Sequence, residues 1–333
     1  MKVCVIGAGA MGTALALNFD RVGGQTHVLA TALDQPLYDS LEGDRTHPTL
    51  GHWIPESIEL VPHERWSEVL PGTEIVVLAV ASVGIRPVIR DIVGDIEGAI
   101  LAVATKGWDP DTAEPLSEVL AHEAPANPVV ILVGPSLAGE LASGIPTGMV
   151  CASLDASAAN TVAASLSGSS VMAYTSTDVK GVEVGAALKN VLAIAIGMCD
   201  GIAEAKGRPM TNTKAALFSR GLIEMGRLAV AMGGREQTVL GLAGAGDLFV
   251  TVLGGRNGRF GRLVGTGLAP DEAFATMGTT VEGFDNTKEA VLLADRHGLD
   301  LPVVRMVSSV LYGGIDPEKA IKALIRSEVE PEF

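Results

Sequence analysis

Residues 2–12 read KVCVIGAGAMG, a short β-branched run that leads into a glycine-rich turn and then a helical stretch over residues 11–22. Gly7, Gly9 and Gly12 have the G-x-G-x-x-G spacing of the turn between the first strand and helix of dinucleotide-binding domains. The first glycine allows the tight turn, the second lets a pyrophosphate approach, and the third lets helix and strand pack closely. The N–H groups at the start of the helix would then bind the phosphates. This stretch predicts a Rossmann-like, doubly wound domain.

A second strand is predicted over residues 25–30, and the residues after it usually decide which nicotinamide cofactor is accepted. NAD-specific sites place Asp or Glu there to bind the ribose 2′-hydroxyl, but residues 30–32 read ATA and Asp34 comes late. A missing carboxylate would remove the repulsion that excludes a 2′-phosphate. Thr31 offers a hydroxyl and Arg45 a charge to such a group. We therefore expect NADP or NAD, with NADP slightly favoured.

Further buried-strand patterns alternate with helical or loop segments. They cover residues 74–80, 99–105, 129–133, 148–152 and 171–176. This rhythm predicts a parallel sheet with both faces covered. Ligands of such sheets bind beyond the carboxyl ends of the strands, and polar groups follow three of them: Lys106, Ser136 and the pair Thr177 and Asp178. The last pair is also placed to cap the next helix.

Strand patterns stop after about residue 178. Helical patterns then cover residues 178–203, 212–232, 270–276, 285–296, 302–312 and 316–326. The length of 333 residues also fits two domains. The sequence therefore predicts a Rossmann domain over residues 1–177 and an all-helical second domain over residues 178–333.

The first helical segment contains a lysine in unusual surroundings. Residues 181–201 read GVEVGAALKNVLAIAIGMCDG, which is apolar on all sides around Lys189 and Asn190 and is typical of a buried helix. Lysine is almost never fully buried without a partner, and burial shifts a lysine pKa toward neutrality, which suits a general base. The alternative is a lysine at the rim of the core whose ammonium group reaches water.

Two glycine-rich loops are predicted in the helical part, GLAGAGD at residues 241–247 and LGGRNG at residues 253–258. Small residues let a backbone close on a ligand. The planar guanidinium of Arg256 suits bidentate binding of a phosphate. The alternative is a plain turn with an exposed arginine.

Composition excludes several classes of function. The net charge is −15 and no basic run occurs, so we expect no nucleic-acid partner. Cys4, Cys151 and Cys199 lie in apolar runs without metal spacing, as in a reduced cytoplasmic protein. We expect no signal peptide and no membrane span. The histidines have no metal-ligand spacing, so no metal site is predicted: His27, His47, His52, His63, His122 and His297.

Seven motifs, spread over nearly the whole chain, resemble the NAD(P)-dependent sn-glycerol-3-phosphate dehydrogenase family. They are GAGAMG at 7–12, ATKG at 104–107, GPSLAGE at 134–140, EVGAALKNVLAIAIGMCDG at 183–201, GLAGAGDL at 241–248, GGRNG at 254–258 and VEG at 281–283. The resemblance implies a Rossmann domain with a helical substrate domain. It also implies reversible hydride transfer between NAD(P)H and dihydroxyacetone phosphate. A homodimer acting on this small phosphorylated substrate is expected.

The resemblance also implies roles for individual residues. Lys189 matches the catalytic lysine, which would donate a proton to the forming alkoxide; a histidine in this role is less favoured. The implied substrate-binding positions are Lys106, Gly134, Ser136, Asn190, Asp247, Gly255, Arg256 and Asn257. The implied cofactor-binding positions are Gly7, Gly9, Ala10, Met11, Gly12, Thr31, Lys106, Ala138, Arg256, Val281 and Glu282.

Two departures from the family pattern keep alternatives open. Met11 replaces an aromatic residue, and residues 202–211, IAEAKGRPMT, form a predicted loop that is longer than usual and looks like archaeal members. Since this loop is expected to flank the site, a dehydrogenase for another short polyol phosphate or a hydroxy acid is the first alternative. A non-enzymatic NADP-binding sensor is the second, although a sensor need not keep both Lys189 and Asp247.

Overall fold

The structure is a computed structural model that describes residues 1–325. The chain divides into two compact units, Met1–Glu183 and Val184–Phe333. The predicted class is confirmed, because the first unit is an α/β domain of the Rossmann type and the described part of the second is helical. The domain boundary after residue 177 stays a prediction, and the last eight residues lie outside the described part.

An eight-stranded sheet forms the centre of the first unit. Its strands are β1 (Lys2–Ile6), β2 (Gln25–Leu29), β5 (Glu59–Val61), β6 (Ile75–Leu78), β7 (Ile100–Val103), β8 (Val129–Val133), β9 (Thr147–Ala152) and β10 (Val171–Ser176). Two shorter strands form a separate antiparallel pair, β3 (Thr46–His47) and β4 (His52–Trp53). The order across the sheet is β10-β9-β8-β7-β6-β1-β2-β5. The order therefore reverses at β1, which opens a crevice beyond the carboxyl ends of β1 and β6.

The sheet is mixed, so the prediction of a parallel sheet is wrong at one edge. β8 and β9 pair antiparallel, with Ile131 opposite Ala152, whereas β9 and β10 are parallel to each other. The connection from β8 to β9 contains only the five-residue helix α6 (Ala138–Ala142), which packs on the first helix and does not carry the chain back along the sheet. Because β10 runs opposite to β7 and β8, Thr177 and Asp178 lie at the other end of the strands from Lys106 and Ser136.

The helices of the first unit cover the two faces of the sheet. Besides α6 they are α1 (Ala10–Arg21), α2 (Gln35–Asp44), α3 (Trp66–Val69), α4 (Ser82–Ile92), α5 (Leu116–Glu123) and α7 (Ala156–Ser165). The central strands read as continuous apolar runs because both faces are covered; Val3, Val5, Val77 and Leu132 are all fully buried. The three cysteines are buried and free.

The second unit is built from helices. They are α8 (Val179–Lys206), α9 (Thr211–Ala231), α10 (Glu236–Val239), α11 (Asp247–Gly254), α12 (Arg256–Gly265), α13 (Pro270–Met277), α14 (Glu282–Arg296), α15 (Pro302–Leu311) and α16 (Pro317–Ile325). The predicted helices are confirmed within a few residues at each end, except that residue 326 lies outside the described part.

Helix α8 is the buried helix that its sequence predicts. The Asp178 carboxylate accepts a hydrogen bond from the Gly181 N–H at 3.1 Å and caps the first turn, as predicted. By length and composition, α8 and residues 236–254 are the two described segments apolar enough to cross a membrane, but the apolar window of α8 is wholly buried in the protein. The absence of a membrane span stays a prediction.

The predicted loop over residues 202–211 is shorter in the structure, where it covers only residues 207–210. Ile202 to Lys206 continue α8, and the helix ends where Gly207 takes a left-handed conformation with φ of 61°. Lys206 and Arg208 both pair with Glu318 on α16, which holds this junction in place. Ala, Glu and Lys favour helix, which explains why α8 continues through residues 202–206. The likeness of residues 202–211 to archaeal members of the family stays a prediction.

Glycines bring α8 and α12 into backbone contact. A Cβ atom on Gly197 would lie 2.2 Å from the carbonyl oxygen of Gly258, and one on Gly261 would lie 2.3 Å from that of Ile194. Since no larger residue fits at either position, the two helices approach as closely as backbones allow. This contact fixes the start of α12, with Arg256 and Asn257, relative to the middle of α8.

A buried carboxylate in the second unit gives the stability of the protein a pH dependence. Glu224 on α9 accepts hydrogen bonds from the N–H groups of Val303 and Val304, at 2.7 and 3.1 Å, at the start of α15. Burial raises the pKa of Glu224 from 4.5 to about 7. Between these values the folded state holds a proton that the unfolded state has lost. The contribution of Glu224 to the free energy of unfolding is therefore complete below pH 4.5 and falls as the pH rises to about 7.

Replacing Glu224 with Gln should remove this dependence while keeping an oxygen acceptor for α15. We expect the difference in unfolding free energy between wild type and Glu224→Gln to change by roughly 2–3 kcal/mol between pH 4.5 and pH 7. Denaturant unfolding at several pH values measures it, with the exposed Glu236→Gln as the matched control. A constant difference across this pH range would show that Glu224 does not titrate there.

Candidate active site

The glycine-rich loop, residues 7–12, is shaped for close approach of a ligand. Gly7 has φ of 106°, and a Cβ atom there would lie 2.7 Å from the carbonyl oxygen of Ala79. A Cβ atom on Gly12 would lie 2.0 Å from the carbonyl oxygen of Gly7. Helix α1 begins at Ala10 with Gly9 as its N-cap and without a side-chain cap among the described residues. Its first N–H groups are therefore directed at the place where a pyrophosphate would bind.

A carboxylate lies beside this loop, contrary to the sequence-based interpretation that none is present. Asp34 ends a 3₁₀ turn (Ala32–Asp34) after β2, and its Oδ2 accepts a hydrogen bond from the Ala8 N–H at 3.2 Å. The turn folds the chain back, so a residue late in sequence lies next to the loop. Thr31 donates to the same oxygen from its N–H at 3.0 Å and from its hydroxyl at 2.8 Å.

The sequence suggested that Arg45 could bind a 2′-phosphate, but in the structure its guanidinium group donates hydrogen bonds to backbone carbonyl groups. Its Nε donates to the carbonyl oxygen of Ile54 at 2.9 Å, and its Nη2 donates to those of Pro55 and Ile58 at 2.9 and 2.6 Å. The guanidinium group therefore holds the segment after β4 in place. Neither a missing carboxylate nor Arg45 therefore supports the expected preference for NADP.

Lys106 and the loop after β8 meet at the carboxyl ends of neighbouring strands. Lys106 Nζ donates to the carbonyl oxygen of Gly134 at 3.2 Å, and the buried Ser136 hydroxyl donates to the same oxygen at 3.0 Å. Ala138 begins α6 close by and is half-buried. Two of the three predicted strand-end positions, Lys106 and Ser136, are thus brought together on one carbonyl group.

Lys189, Asp247 and Thr251 form a buried polar cluster in the second unit, the lysine cluster. Lys189 Nζ lies 2.9 Å from the hydroxyl oxygen of Thr251 and 3.4 Å from Oδ1 of Asp247. Lys189 is 5% exposed and Asp247 is 1% exposed. The Thr251 hydroxyl accepts from the ammonium and donates to the carbonyl oxygen of Asp247 at 2.7 Å. The alternative of a rim lysine reaching water is therefore wrong.

Three asparagines and one glutamate connect α8, α12 and α14 beside the lysine cluster. Asn257 Nδ2 donates to Oδ1 of Asn190 at 2.8 Å, and Asn190 Nδ2 donates to Oδ1 of Asn286 at 3.1 Å. Asn190 also donates to Glu282 Oε2 at 3.3 Å, and Asn257 accepts from the Gly283 N–H at 2.9 Å. The amide groups of Asn190 and Asn257 thus hold α8, α12 and α14 together.

The predicted glycine-rich loops are helical, which corrects the sequence-based interpretation. Residues Leu242–Gly246 form a π-helical turn that leads into α11, and Gly255 separates α11 from α12. Small residues let this turn approach the chain before it closely: a Cβ atom on Gly244 would lie 2.0 Å from the carbonyl oxygen of Val239. Asp247 and Thr251 then fall one turn apart on one face of α11, where both can meet Lys189.

The start of α12 combines a cation with free helix N–H groups. Gly255 is the N-cap, and no side chain within residues 1–325 caps the helix. Arg256 is 45% exposed and its Nη2 lies 3.4 Å from Oε1 of Glu282, the first residue of α14. The preceding Val281 is buried. The positive end of the helix dipole and a guanidinium group at one point could bind an anion, so the start of α12 is a candidate anion site.

Three residues were missed by sequence reasoning. Thr251 and Asn286 carry ordinary side chains whose role depends on which helices pack together, and Asp34 was judged too late in sequence. The D-x-x-x-T spacing of Asp247 and Thr251 could have indicated a shared helical face, had residues 241–258 been predicted as helical.

Two family models match the chain. One describes the N-terminus of NAD-dependent glycerol-3-phosphate dehydrogenase and matches residues 2–159; the other describes its C-terminus and matches residues 178–322. The chain belongs to this family. A relative named glycerol-3-phosphate dehydrogenase [NAD(P)+], from Thiobacillus denitrificans, is 36% identical over 338 residues, which cover 100% of both chains.

Solved structures agree with this assignment. The crystal structure of glycerol-3-phosphate dehydrogenase from Coxiella burnetii is 32% identical, covers 98% of this chain and 99% of its own, and has a TM-score of 0.90. The enzyme of that name from Plasmodium falciparum, at 17% identity and a TM-score of 0.86 over 99% and 97% of the two chains, shares the fold. The resemblance stated from the motifs is confirmed at the level of the family.

Proposed function

We propose that the chain catalyses the reversible reduction of dihydroxyacetone phosphate to sn-glycerol 3-phosphate with NAD(P)H. The observation that supports this most is the lysine cluster, which places a proton donor on one side of α11, with the anion site of α12 anchored next to it by the Asn190–Asn257 bond. A proton donor and a phosphate anchor are the two groups that reduction of a small phosphorylated ketone requires of the protein.

The glycine-rich loop and the uncapped start of α1 fit the pyrophosphate of a dinucleotide. The proposed cofactor contacts are the predicted ones, with Asp34 added. When bound, the nicotinamide supplies the hydride or accepts it. The preference for NADP expected from the sequence rested on a missing carboxylate, the Thr31 hydroxyl and Arg45. In the structure the Thr31 hydroxyl donates to Asp34, and Arg45 donates to three carbonyl oxygens.

Lys189 is the proposed acid and base. In the reduction direction its ammonium group gives a proton to the oxygen of the forming alcohol, and in the oxidation direction the amine takes it back. Asp247 and Thr251 orient Nζ by their contacts at 3.4 and 2.9 Å. Their buried position excludes water, which strengthens the interaction between ammonium and carboxylate. A histidine in this role would need to reach the same buried pocket, and Lys189 already fills it.

Arg256, with the N–H groups of α12, is the proposed anchor of the substrate phosphate. Binding energy gained at the phosphate holds the reacting carbon in place without entering the chemistry itself. Lys106, Gly134 and Ser136 of the first unit are proposed to contact the substrate as well, since they converge at the carboxyl ends of β7 and β8.

A substrate panel tests this function. We expect purified protein to oxidise NADH or NADPH with dihydroxyacetone phosphate at a kcat/KM at least about tenfold above those for a four-carbon ketose phosphate and a 2-oxo acid. A higher kcat/KM for the longer ketose phosphate or for the 2-oxo acid would replace the proposal with the first alternative. Binding of cofactor without turnover of any of them would favour the sensor.

Thr251 gives a second test of the proposed site. Thr251→Val keeps the volume of the side chain but removes the hydroxyl that receives the Lys189 ammonium, so we expect kcat to fall on the order of tenfold or more. Thr251→Ser keeps the hydroxyl and should therefore keep most of the wild-type kcat. Steady-state kinetics of both variants measure the effect, and a kcat close to wild type in Thr251→Val with a loss in Thr251→Ser would assign Thr251 to packing alone.

A homodimer and a cytoplasmic location belong to the same proposal. Exposed apolar side chains on α11, Phe249 at 58% and Leu253 at 70%, support a surface that a second copy covers. Light scattering after gel filtration tests the dimer. The buried, free cysteines support a reducing compartment.

A further inference from the structure

We propose that Asp34 makes this chain prefer NAD(H) to NADP(H), an inference that rests on the proposed function. The carboxylate belongs to none of the positions expected from the family resemblance. It lies beside the glycine-rich loop because the 3₁₀ turn after β2 folds back toward Ala8.

The position of the carboxylate is fixed by three donors. The N–H of Ala8, the N–H of Thr31 and the hydroxyl of Thr31 all point at Asp34 Oδ2, at 3.2, 3.0 and 2.8 Å. Within residues 1–325 no lysine or arginine forms an ion pair with Asp34. The charge of the carboxylate is therefore oriented by hydrogen bonds but not neutralised by a cation.

Ala8, the residue of the glycine-rich loop that contacts Asp34, is also held in place by hydrogen bonds. The carbonyl oxygen of Ala8 lies 3.2 Å from His47 Nε2 and accepts from the Thr13 hydroxyl at 3.0 Å. His47 Nδ1 accepts from the N–H groups of Thr49 and Leu50, at 3.2 and 3.3 Å, which leaves Nε2–H as the donor to Ala8. The backbone N–H and the backbone carbonyl of Ala8 are thus both engaged, so the loop and the carboxylate keep one relative position.

This position determines what the site accepts. In a Rossmann domain the ribose next to the adenine lies at the end of the second strand, where a carboxylate accepts a hydrogen bond from the 2′-hydroxyl. The dianionic 2′-phosphate of NADP(H) would meet the same carboxylate without a cation between them, and Arg45 is committed to three carbonyl groups. Like charges in such contact are strongly unfavourable. We expect NADH to bind at least about tenfold more tightly than NADPH.

Fluorescence titration of the reduced cofactors tests this without turnover. The dissociation constants of NADH and NADPH are measured for wild type, Asp34→Asn and Asp39→Asn. Asp34→Asn keeps an oxygen acceptor for Ala8 and Thr31 but removes the charge. Asp39 is the matched control, because it carries the same charge on α2 and accepts instead from Gln35 at 2.7 Å.

The expected result is a preference of wild type for NADH that shrinks by about tenfold in Asp34→Asn, mainly through tighter NADPH binding, and is unchanged in Asp39→Asn. Equal or tighter binding of NADPH by wild type would overturn the inference and leave the dehydrogenase proposal standing. An equal weakening of both cofactors in Asp34→Asn would overturn it too, since Asp34 would then only support the loop. Binding of neither cofactor by wild type would overturn the proposed function together with the inference.

Discussion

Replacing Lys189 with alanine is expected to lower kcat by on the order of 10²–10⁴ while leaving the dissociation constant of NADH nearly unchanged. The change removes the only group of the lysine cluster that can give a proton to an alkoxide, since Asp247 is a buried acceptor and Thr251 already donates to a carbonyl oxygen. The cofactor contacts proposed on the first unit are untouched. Steady-state kinetics and cofactor titration measure the two quantities separately.

Two further variants separate lost chemistry from lost structure. Lys180→Ala removes a lysine from the same helix, where it pairs with Glu118, and should keep kcat within about threefold of wild type. Adding a small primary amine to Lys189→Ala should restore part of kcat in proportion to amine concentration, because the amine can occupy the vacated space beside Asp247 and carry the proton. A kcat within about threefold of wild type in Lys189→Ala would remove Lys189 from the mechanism.

Arg256→Lys is expected to raise KM for dihydroxyacetone phosphate by on the order of tenfold and to affect unphosphorylated dihydroxyacetone far less. Lysine keeps the positive charge but loses the planar fork that binds two phosphate oxygens at once. The protein carries a net charge of −15, so a phosphate is repelled at long range and depends on such local cations. Kinetics of wild type and variant with both substrates measure the difference.

Arg259→Lys is the matched control, because Arg259 lies on the same helix one turn later and is exposed. This variant should leave both KM values close to those of wild type. Equal penalties on the two substrates in Arg256→Lys would show that Arg256 acts through the cofactor or through its pair with Glu282. The assignment as phosphate anchor would then have to be withdrawn.

Most of the fold was predictable because its signals are local. The β-branched run before Gly7 and the apolar runs of residues 129–133 and 171–176 match their strands to the residue. The antiparallel pairing of β8 and β9 was not predictable, because an apolar run does not record the direction in which it pairs. The short edge strand β5, which contains Glu59 and precedes a proline, gave too weak a pattern to be recognised.

Site residues were predictable where the pattern of a single helix indicates them, and were not predictable where their contacts depend on how several helices pack together. An all-apolar helix around Lys189 indicated a buried lysine, and the structure places it at 5% exposure. The partners Thr251 and Asn286 depend on α11 and α14 packing against α8, which no local pattern records. Glycine-rich segments were predicted as loops because glycine usually disfavours helix, but Gly244 and Gly255 are required there because a Cβ atom would meet the carbonyl oxygens of Val239 and Thr251.

The initial rate of NADH oxidation by the purified protein on addition of dihydroxyacetone phosphate tests the central claim most directly. The lysine cluster, the anion site of α12 and the glycine-rich loop together predict saturable oxidation that yields sn-glycerol 3-phosphate in equal amount and is lost in Lys189→Ala. NADH that binds in a fluorescence titration but is not oxidised in the presence of dihydroxyacetone phosphate would contradict the claim.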